Sequence, residues 1–314
     1  LWRASVRLEL SAPKLIYGNN IEELSEAQFD DVVVALGDRL RRLGLTISVD
    51  QLKTASVRAV HYSKNIEMQD GYSAMYAIAE ISKINLNTRF DLSRTRYMND
   101  GQSLCMYTRS HSFVIYDKMA DLLRGKGKAI DMSQTQKQDA LAATMKGRDV
   151  LRFEVRLSEK RKMNTVLRKA GFTENPTFRD VFATDKSKAV LNHYWQTTVA
   201  GNGHILFAHA PTPKEVLKYL LLAIPGMGAR QAIFLTGLLL LVRDGNGIRE
   251  LRTILTQYVA NRTWYRIADE IKATEASMAT LQPRGWYGQI VSALSIYQPF
   301  QTGNERPDGV KLTL

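Results

Sequence analysis

The sequence predicts an α+β fold, with an antiparallel sheet in the first half of the chain followed by an all-helical second half. Segments 88–97, 102–108 and 112–117 have strand-like composition and are separated by turn residues, as in an antiparallel meander. Residues 150–157 alternate strictly between apolar and polar side chains, which indicates one further strand. Beyond that strand the chain carries helix start and stop signals, so strands and helices are segregated along the sequence.

The chain before the meander predicts two strands and two helices. Residues 4–10 alternate apolar and polar side chains, and residues 56–62 also have the composition of a strand. Residues 25–43 begin with a capping-box pattern and continue with apolar side chains at helical spacing, and residues 72–84 predict the second helix. After the meander, a polar connector carries one more predicted helix near 135–146.

The second half of the chain predicts a series of helices. Thr212, Pro213 and Glu215 supply an N-cap, a proline at the first helical position and a capping glutamate. The later helices are predicted at 228–243, 247–259 and 262–273. Only Ala260 and Asn261 separate the last two of them, a spacing that is compatible with a helix-turn-helix.

Length and composition indicate a globular protein of two domains. A chain of 314 residues is long enough for a sheet domain over 1–160 and a helical domain over 161–314. Hydrophobic residues make up 45% and charged residues 24%, which are values close to the globular average. The longest apolar runs, 220–224 and 233–242, are too short to span a bilayer, so no membrane partner is expected.

Charge and motif content narrow the classes of function. The net charge of +12 favours a polyanionic partner, because each neutralised phosphate releases counterions. Cys105 is the only cysteine, which excludes an internal disulfide and a zinc ribbon and fits a reducing cytoplasm. The sequence has no phosphate-binding glycine loop and no His-Glu-x-x-His motif, so ATP-driven and zinc-dependent chemistry are not expected.

Charged side chains occupy strand positions where a simple buried core would not place them. Asp91 on the first meander strand and Glu154 on the 150–157 strand are carboxylates that neighbouring strands could present on one face. Two such carboxylates could hold Mg²⁺ or Mn²⁺ and polarise a phosphodiester for attack by a tyrosine such as Tyr116. On spacing alone, pairing of Glu154 with Arg152 and Arg156 on a solvated face is the more common arrangement.

Three strand segments at these residues resemble the filamentous-phage gene II replication initiators and related plasmid rolling-circle initiators. That family's Arg-hydrophobic-Asp strand is similar to residues 88–92, TRFDL, and its Tyr-x-Lys-x-x-acid segment is similar to residues 113–122, FVIYDKMADL. Its Arg-Phe-Glu-x-Arg strand is similar to residues 151–157, LRFEVRL, and the order and approximate spacing agree. An aromatic-rich segment near the family's C-terminus resembles residues 263–266. In organisation the similarity covers about residues 55–300.

The resemblance implies that the sheet forms a Rep-like nuclease domain that nicks one strand of origin DNA. Such an enzyme becomes joined to the 5′ phosphate and leaves a free 3′ hydroxyl for a polymerase. The implied partners are single-stranded or supercoiled origin DNA and the helicase and polymerase of a bacterial host. The implied location is the cytoplasm of that host.

The resemblance also implies roles for individual residues. Tyr116 is the candidate nucleophile, and Lys118 could stabilise the charge of the phenolate or the phosphorane. Asp91 and Glu154 are the candidate ligands of Mg²⁺ or Mn²⁺. Tyr107 on the neighbouring strand is the alternative nucleophile, because related plasmid enzymes carry a tyrosine before the Tyr-x-Lys segment.

Some assignments stay open at this point. His61 and His111 are alternatives for a third metal ligand, and Asp121 stands where the family usually has glutamate. The candidate DNA-binding residues are Arg89, Arg152, Arg156, Arg262, Trp264, Arg266 and Lys272. A non-catalytic initiator that binds and opens an origin is a second interpretation. A relaxase or transposase, which would share the chemistry but act on other DNA, is a third.

Overall fold

Five strands form one antiparallel sheet within the residues that the structure describes. The computed structural model describes residues 6–83, 96–98, 101–124, 139–200, 212–244, 247–260, 262–267, 269–270 and 285–303. The strands are β1 (Val60–Met68), β2 (Arg96–Met98), β3 (Ser103–Tyr107), β4 (His111–Asp117) and β5 (Asp149–Leu157). Their order across the sheet is β1-β5-β4-β3-β2, so β5 lies between the first strand and the meander.

Along the chain, helices both precede and follow the last strand, β5. The helices before β5 are α1 (Ala12–Tyr17), α2 (Phe29–Arg42), α3 (Val49–Lys53), α4 (Ala74–Ser82) and α5 (Lys118–Leu123). Those after β5 are α6 (Lys160–Lys169), α7 (Phe178–Phe182), α8 (Thr184–Thr198), α9 (Pro213–Ala223), α10 (Ala229–Asp244), α11 (Ile248–Tyr258) and α12 (Gly285–Ile296). Among the described residues, no helix combines the length and apolar character needed to cross a membrane.

Local sequence explains where several helices begin. Ser25 and Gln28 form a capping box in the 3₁₀ turn before α2. Thr212 forms another with Glu215 at the start of α9, as the sequence predicts. In both cases a side-chain oxygen satisfies a backbone N–H that has no partner within the helix, which fixes the first turn.

One face of the sheet is apolar and lies under helices. Four side chains of β5, Leu151, Phe153, Val155 and Leu157, are wholly buried in one core, and the Phe153 ring stacks on Trp195 of α8 at 5.3 Å between centroids. Helices α4, α6 and α8 contact β5, and α12 contacts β1. Because successive strand residues point to opposite faces, all four of these β5 side chains lie on the side of the sheet that these helices cover.

The same core continues into the later helices. Val216 of α9, Leu235 of α10 and Leu251 of α11 belong to the buried cluster that contains the β5 side chains. The cluster also includes Ile290 of α12. The core therefore continues across residue 160, where the sequence predicts a domain boundary.

The elements that the sequence predicts with clear periodicity are confirmed. Strands β3, β4 and β5, helices α2, α4, α9, α10 and α11, and a helical segment at 139–144 lie where the sequence predicts them, within a few residues. Of the predicted strand 88–97, only β2 lies within the described residues. The α+β class is thus correct for the described part of the chain.

Two predicted strands are wrong in whole or in part. Residues 6–10 form no strand, and Val6, Leu8 and Leu10 are 58%, 39% and 40% exposed, because no described strand pairs with them. The strand predicted at 56–62 instead runs from Val60 to Met68, and Ser56 forms only an isolated bridge. Alternation alone does not make a strand, since a strand also needs a neighbour to pair with.

Candidate active site

The second face of the sheet is polar and carries most of the described candidate residues. Tyr116 of β4 is the register partner of Arg152 on β5, and Ser63 of β1 is the partner of Glu154. Partners in an antiparallel ladder point to the same side, so strands distant in sequence bring these side chains together. We define the polar face by His61, Ser63, Asn65, Cys105, Tyr107, Ser112, Tyr116, Arg152, Glu154 and Arg156.

Glu154 is the centre of a hydrogen-bonded cluster on this face. The Tyr116 hydroxyl donates to Glu154 Oε2 at 3.1 Å, and Arg156 Nε donates to Glu154 Oε1 at 2.8 Å. Arg152 Nε lies 3.9 Å from Oε2, and His61 Nδ1 lies 3.8 Å from Oε1. The Glu154 side chain is only 12% exposed, so these contacts form where water screens charge weakly.

The surroundings of Glu154 favour its ionised form. Burial by itself would raise the pKa of the Glu154 carboxyl, but Arg156, Arg152 and the Tyr116 hydroxyl together lower that pKa below its ordinary value of 4.5. The carboxylate is therefore negatively charged at neutral pH. It can accept the Tyr116 hydrogen bond and balance the charges of both arginines.

The surroundings of Tyr116 favour its protonated form. Burial raises the pKa of the Tyr116 phenol above its ordinary value; Arg152 opposes this shift, while Glu154 and Asp121 add to it. At neutral pH the phenol therefore keeps its proton. A reaction at the Tyr116 oxygen needs a group that accepts this proton, and Glu154 Oε2 is within hydrogen-bonding distance.

Lys118 lies directly behind Tyr116, at the start of α5. Its side chain is 1% exposed, and its Nζ donates to Asp121 Oδ2 at 2.8 Å and lies 5.8 Å from the centre of the Tyr116 ring. Asp117 caps α5 by accepting hydrogen bonds from the backbone N–H groups of Met119 and Ala120, which fixes the turn that carries Lys118. Asp121 thus holds the lysine.

The two arginines of β5 have different surroundings. Arg152 is 7% exposed, and its guanidinium donates to the Ser63 Oγ at 2.6 Å and to the Asn20 carbonyl. The Arg156 side chain is 42% exposed and can reach a ligand while it holds Glu154. Arg152, predicted as a DNA contact, instead orders the interior of the polar face.

Tyr107 lies on the polar face but on β3, one strand farther from Glu154 than Tyr116 on β4. Its register partner is Ser112, whereas the partner of Tyr116 on β3 is Ser103, four residues earlier on that strand. At about 3.4 Å per residue, the two tyrosines are separated by roughly 14 Å along the strands. The hydrogen bond to Glu154 therefore distinguishes Tyr116 from its alternative.

The candidate metal ligands are only partly within the described residues. Asp91, Arg89 and Lys272 lie outside them. Within them, no group of three His, Cys, Asp or Glu side chains could hold a metal ion. Glu154 and His61 supply one oxygen and one nitrogen donor 3.8 Å apart, close enough for one cation to contact both, so the donor set fits a hard cation in part.

His111 is wrong as a third ligand. It is the register partner of Leu157, which places its side chain on the apolar face of the sheet. Its ring lies 5.8 Å from the Tyr194 ring, and its Nδ1 is 2.7 Å from Thr108 Oγ1. Burial and the nearby Lys162 lower the pKa of His111 to about 4, so it is neutral at physiological pH.

The candidate residues in the helical segment 262–267 differ in their exposure to solvent. Trp264 is 3% exposed and belongs to the core, so it is wrong as a base-stacking residue. Arg262 and Arg266 are exposed, and their role in binding DNA stays a prediction. Tyr265 is 58% exposed and is the aromatic side chain of this segment that a ligand can reach.

The residues that sequence reasoning missed are those that only pairing reveals. Ser63 anchors Arg152, yet it looks like an ordinary strand serine, and its only signal is its place in β1 opposite Glu154.

Comparisons with known proteins add no family assignment: no protein-family model, curated protein or solved structure matches the chain significantly.

Proposed function

We propose that this chain is a site-specific DNA endonuclease and strand transferase that starts rolling-circle replication by nicking single-stranded origin DNA. The observation that carries the proposal is the hydrogen bond of 3.1 Å from the Tyr116 hydroxyl to Glu154. It joins two of the three segments that resemble the replication initiators, although the residues are far apart in sequence. The net charge of +12 supports a polyanionic substrate.

The proposed reaction uses Tyr116 as the nucleophile. The Tyr116 oxygen attacks the phosphorus and forms a phosphotyrosine bond as the bond from phosphorus to the 3′ oxygen breaks. The phenolic proton passes to Glu154 Oε2, and the departing 3′ oxygen takes a proton from water. Arg156 can reach the phosphate oxygens, and Lys118 lies beside the tyrosine ring, where both oppose the developing negative charge.

Mg²⁺ or Mn²⁺ is part of this proposal. Held by Asp91 and Glu154, such an ion would act as a Lewis acid on the scissile phosphate. Glu154 would then serve both the ion and the tyrosine, and His61 is the described side chain that lies nearest for a further bond. The host helicase and polymerase would act on the nicked product, because a polymerase requires the free 3′ hydroxyl.

A covalent-adduct assay tests the nuclease. The protein is incubated with Mn²⁺ and labelled single-stranded oligonucleotides that tile the DNA around its own gene, and adducts are separated on a denaturing gel. Tyr116→Phe should reduce adduct formation by at least about a thousandfold, because the nucleophile is gone. Tyr107→Phe is the matched control and should keep the activity. Full adduct formation by the Tyr116→Phe protein would remove the assignment.

The non-catalytic initiator is the second candidate. What favours it is that both carboxylate oxygens of Glu154 already accept hydrogen bonds, from Arg156 and Tyr116, as in a purely structural ion-pair cluster. The same assay separates the two functions, since a salt-sensitive complex without any adduct would indicate the binder. A relaxase or transposase would form the adduct on DNA other than a replication origin.

A further inference from the structure

Helix α6 carries a concentrated positive charge on its outer surface. Lys160, Arg161, Lys162, Arg168 and Lys169 make half of its residues basic, and the helix contains no acidic residue. Its apolar side chains, Met163, Val166 and Leu167, are buried in the core. The helix is therefore held on the sheet by its inner side, and the basic residues point away from the core.

Three of the five basic side chains take part in no ion pair among the described residues. Arg168 pairs with Glu174 at 3.0 Å. Lys160, Arg161 and Lys169 are exposed, and no ion pair involves them among the described residues. Protein surfaces usually mix both signs of charge, because like charges placed together repel one another. A single-sign cluster on a rigid helix instead favours a polyanion at that surface.

Helix α6 packs on the apolar side of the sheet, and its first turn lies at the same end of the sheet as Arg156 of the polar face. Helix α6 follows β5 closely, and Arg156 lies on the polar face near the end of that strand. The Ser158 N–H donates to the Ser110 carbonyl at 3.2 Å, which holds the β3–β4 turn against the start of α6. That turn carries the exposed Arg109. Arg156, Arg109 and Lys160 thus lie at the same end of the sheet, where a DNA strand can pass from the polar face to α6.

We propose that the exposed side of α6 binds the phosphate backbone of the DNA that flanks the nicking site. The proposal rests on the proposed function for the location of the scissile phosphate, but the binding itself requires no cleavage. Helix α6 is about 15 Å long, so its side chains can reach several consecutive phosphates. Backbone binding of this kind holds the strand without reading its sequence.

Two variants of equal charge test this surface. The first is Lys160→Gln, Arg161→Gln and Lys169→Gln on α6; the second is Arg39→Gln, Arg41→Gln and Arg42→Gln in the last turn of α2. All six side chains are exposed, and each variant lowers the net charge by three, so an effect of overall charge would be the same in both. Thermal unfolding of both variants checks that they fold.

The measurement is fluorescence anisotropy with a labelled single-stranded oligonucleotide of about 20 nucleotides, from about 50 to about 200 mM salt. For the α6 variant, affinity should fall about tenfold at the lower salt, and the slope of log K against log salt should decrease by about two. The α2 variant should bind within about twofold of the wild type. Equal losses in both variants, or wild-type binding by the α6 variant, would overturn the proposal.

The proposal and the nuclease function fail in different ways. If the α6 variant loses binding while the wild-type protein never forms an adduct, the α6 surface stands and the nuclease does not. If the wild type forms the adduct and the α6 variant binds and nicks like it, only the α6 surface is refuted.

Discussion

The two faces of the central strand differ in how they are held. On one side of β5, Phe153 is wholly buried and stacks on Trp195 under a layer of helices. On the other side, the adjacent Glu154 is partly buried and lies among charged groups, each of which needs a partner in a defined position. Apolar burial is non-directional and stabilises the fold, whereas the polar cluster depends on geometry. The two faces of β5 therefore depend on different kinds of interaction: apolar packing on one face, and hydrogen bonds between charged groups on the other.

The largest effect on stability is expected on the apolar face. Phe153→Ala should lower the free energy of unfolding by about 4 kcal/mol, because it leaves a cavity between Phe113 and Trp195. Urea unfolding measures this loss. Leu222→Ala, at a side chain 83% exposed, is the control and should change it by less than about 0.5 kcal/mol. A loss for Phe153→Ala smaller than that for Glu154→Gln would break the comparison between the faces.

The next effect is expected on the polar face, where activity should respond more than stability. Glu154→Gln should lower the free energy of unfolding by about 2 kcal/mol, because Arg152 and Arg156 lose a negatively charged partner. It should reduce adduct formation about a hundredfold, since the phenol loses its proton acceptor. Glu174→Gln removes the exposed partner of Arg168 and should have little effect on either quantity.

The pH dependence of the unfolding free energy tests the role of charge on the polar face. The pKa of Glu154 is lower in the folded protein than its ordinary value of 4.5, so the unfolded chain binds the proton more readily. The stability that Glu154 contributes is therefore complete above about pH 4.5 and is lost as the pH falls through the folded pKa. The difference in unfolding free energy between wild type and Glu154→Gln should shrink below that pH. A difference that grows on acidification would contradict the charge balance described above.

The smallest expected effect concerns the support of Arg152. Ser63→Ala removes the acceptor that lies 2.6 Å from the Arg152 guanidinium and should cost about 1 kcal/mol. Chemical denaturation would measure this cost, and adduct formation should fall by less than in Glu154→Gln. An unchanged midpoint would mean that the Asn20 carbonyl is enough to hold Arg152.

The sequence was sufficient to predict those elements whose apolar residues all face one core. The alternation at 150–157 predicted both faces of β5, because that strand has core on one side and charge on the other. The second half of β1, after Tyr62, was missed because Lys64 and Asn65 look unfavourable in a buried strand. In the fold, Glu23 accepts hydrogen bonds from the Lys64 side chain and the Asn65 backbone. Such long-range partners leave no local signal.

The candidate site was predictable in its residue types but not in its geometry. Tyr116 and Glu154 stand out by resemblance, but their contact depends on the register between β4 and β5. Trp264 shows a different kind of error. An aromatic residue among basic ones has the pattern of a nucleic-acid contact, but in the structure Trp264 is buried in the core. Register and burial are both properties of the assembled chain, which a linear pattern does not contain.

The insertion of β5 between β1 and β4 has a consequence for how the protein is made. Val60 pairs with Leu157 and Met68 with Asp149, so a ribosome must complete β5 before β1 has its only described neighbour. At roughly 5–20 residues per second, the nascent β1 waits for about 5–20 s. During that interval its edge is open to wrong pairing with other strands. It also means that Tyr116 meets Glu154 only after the whole sheet has been synthesised.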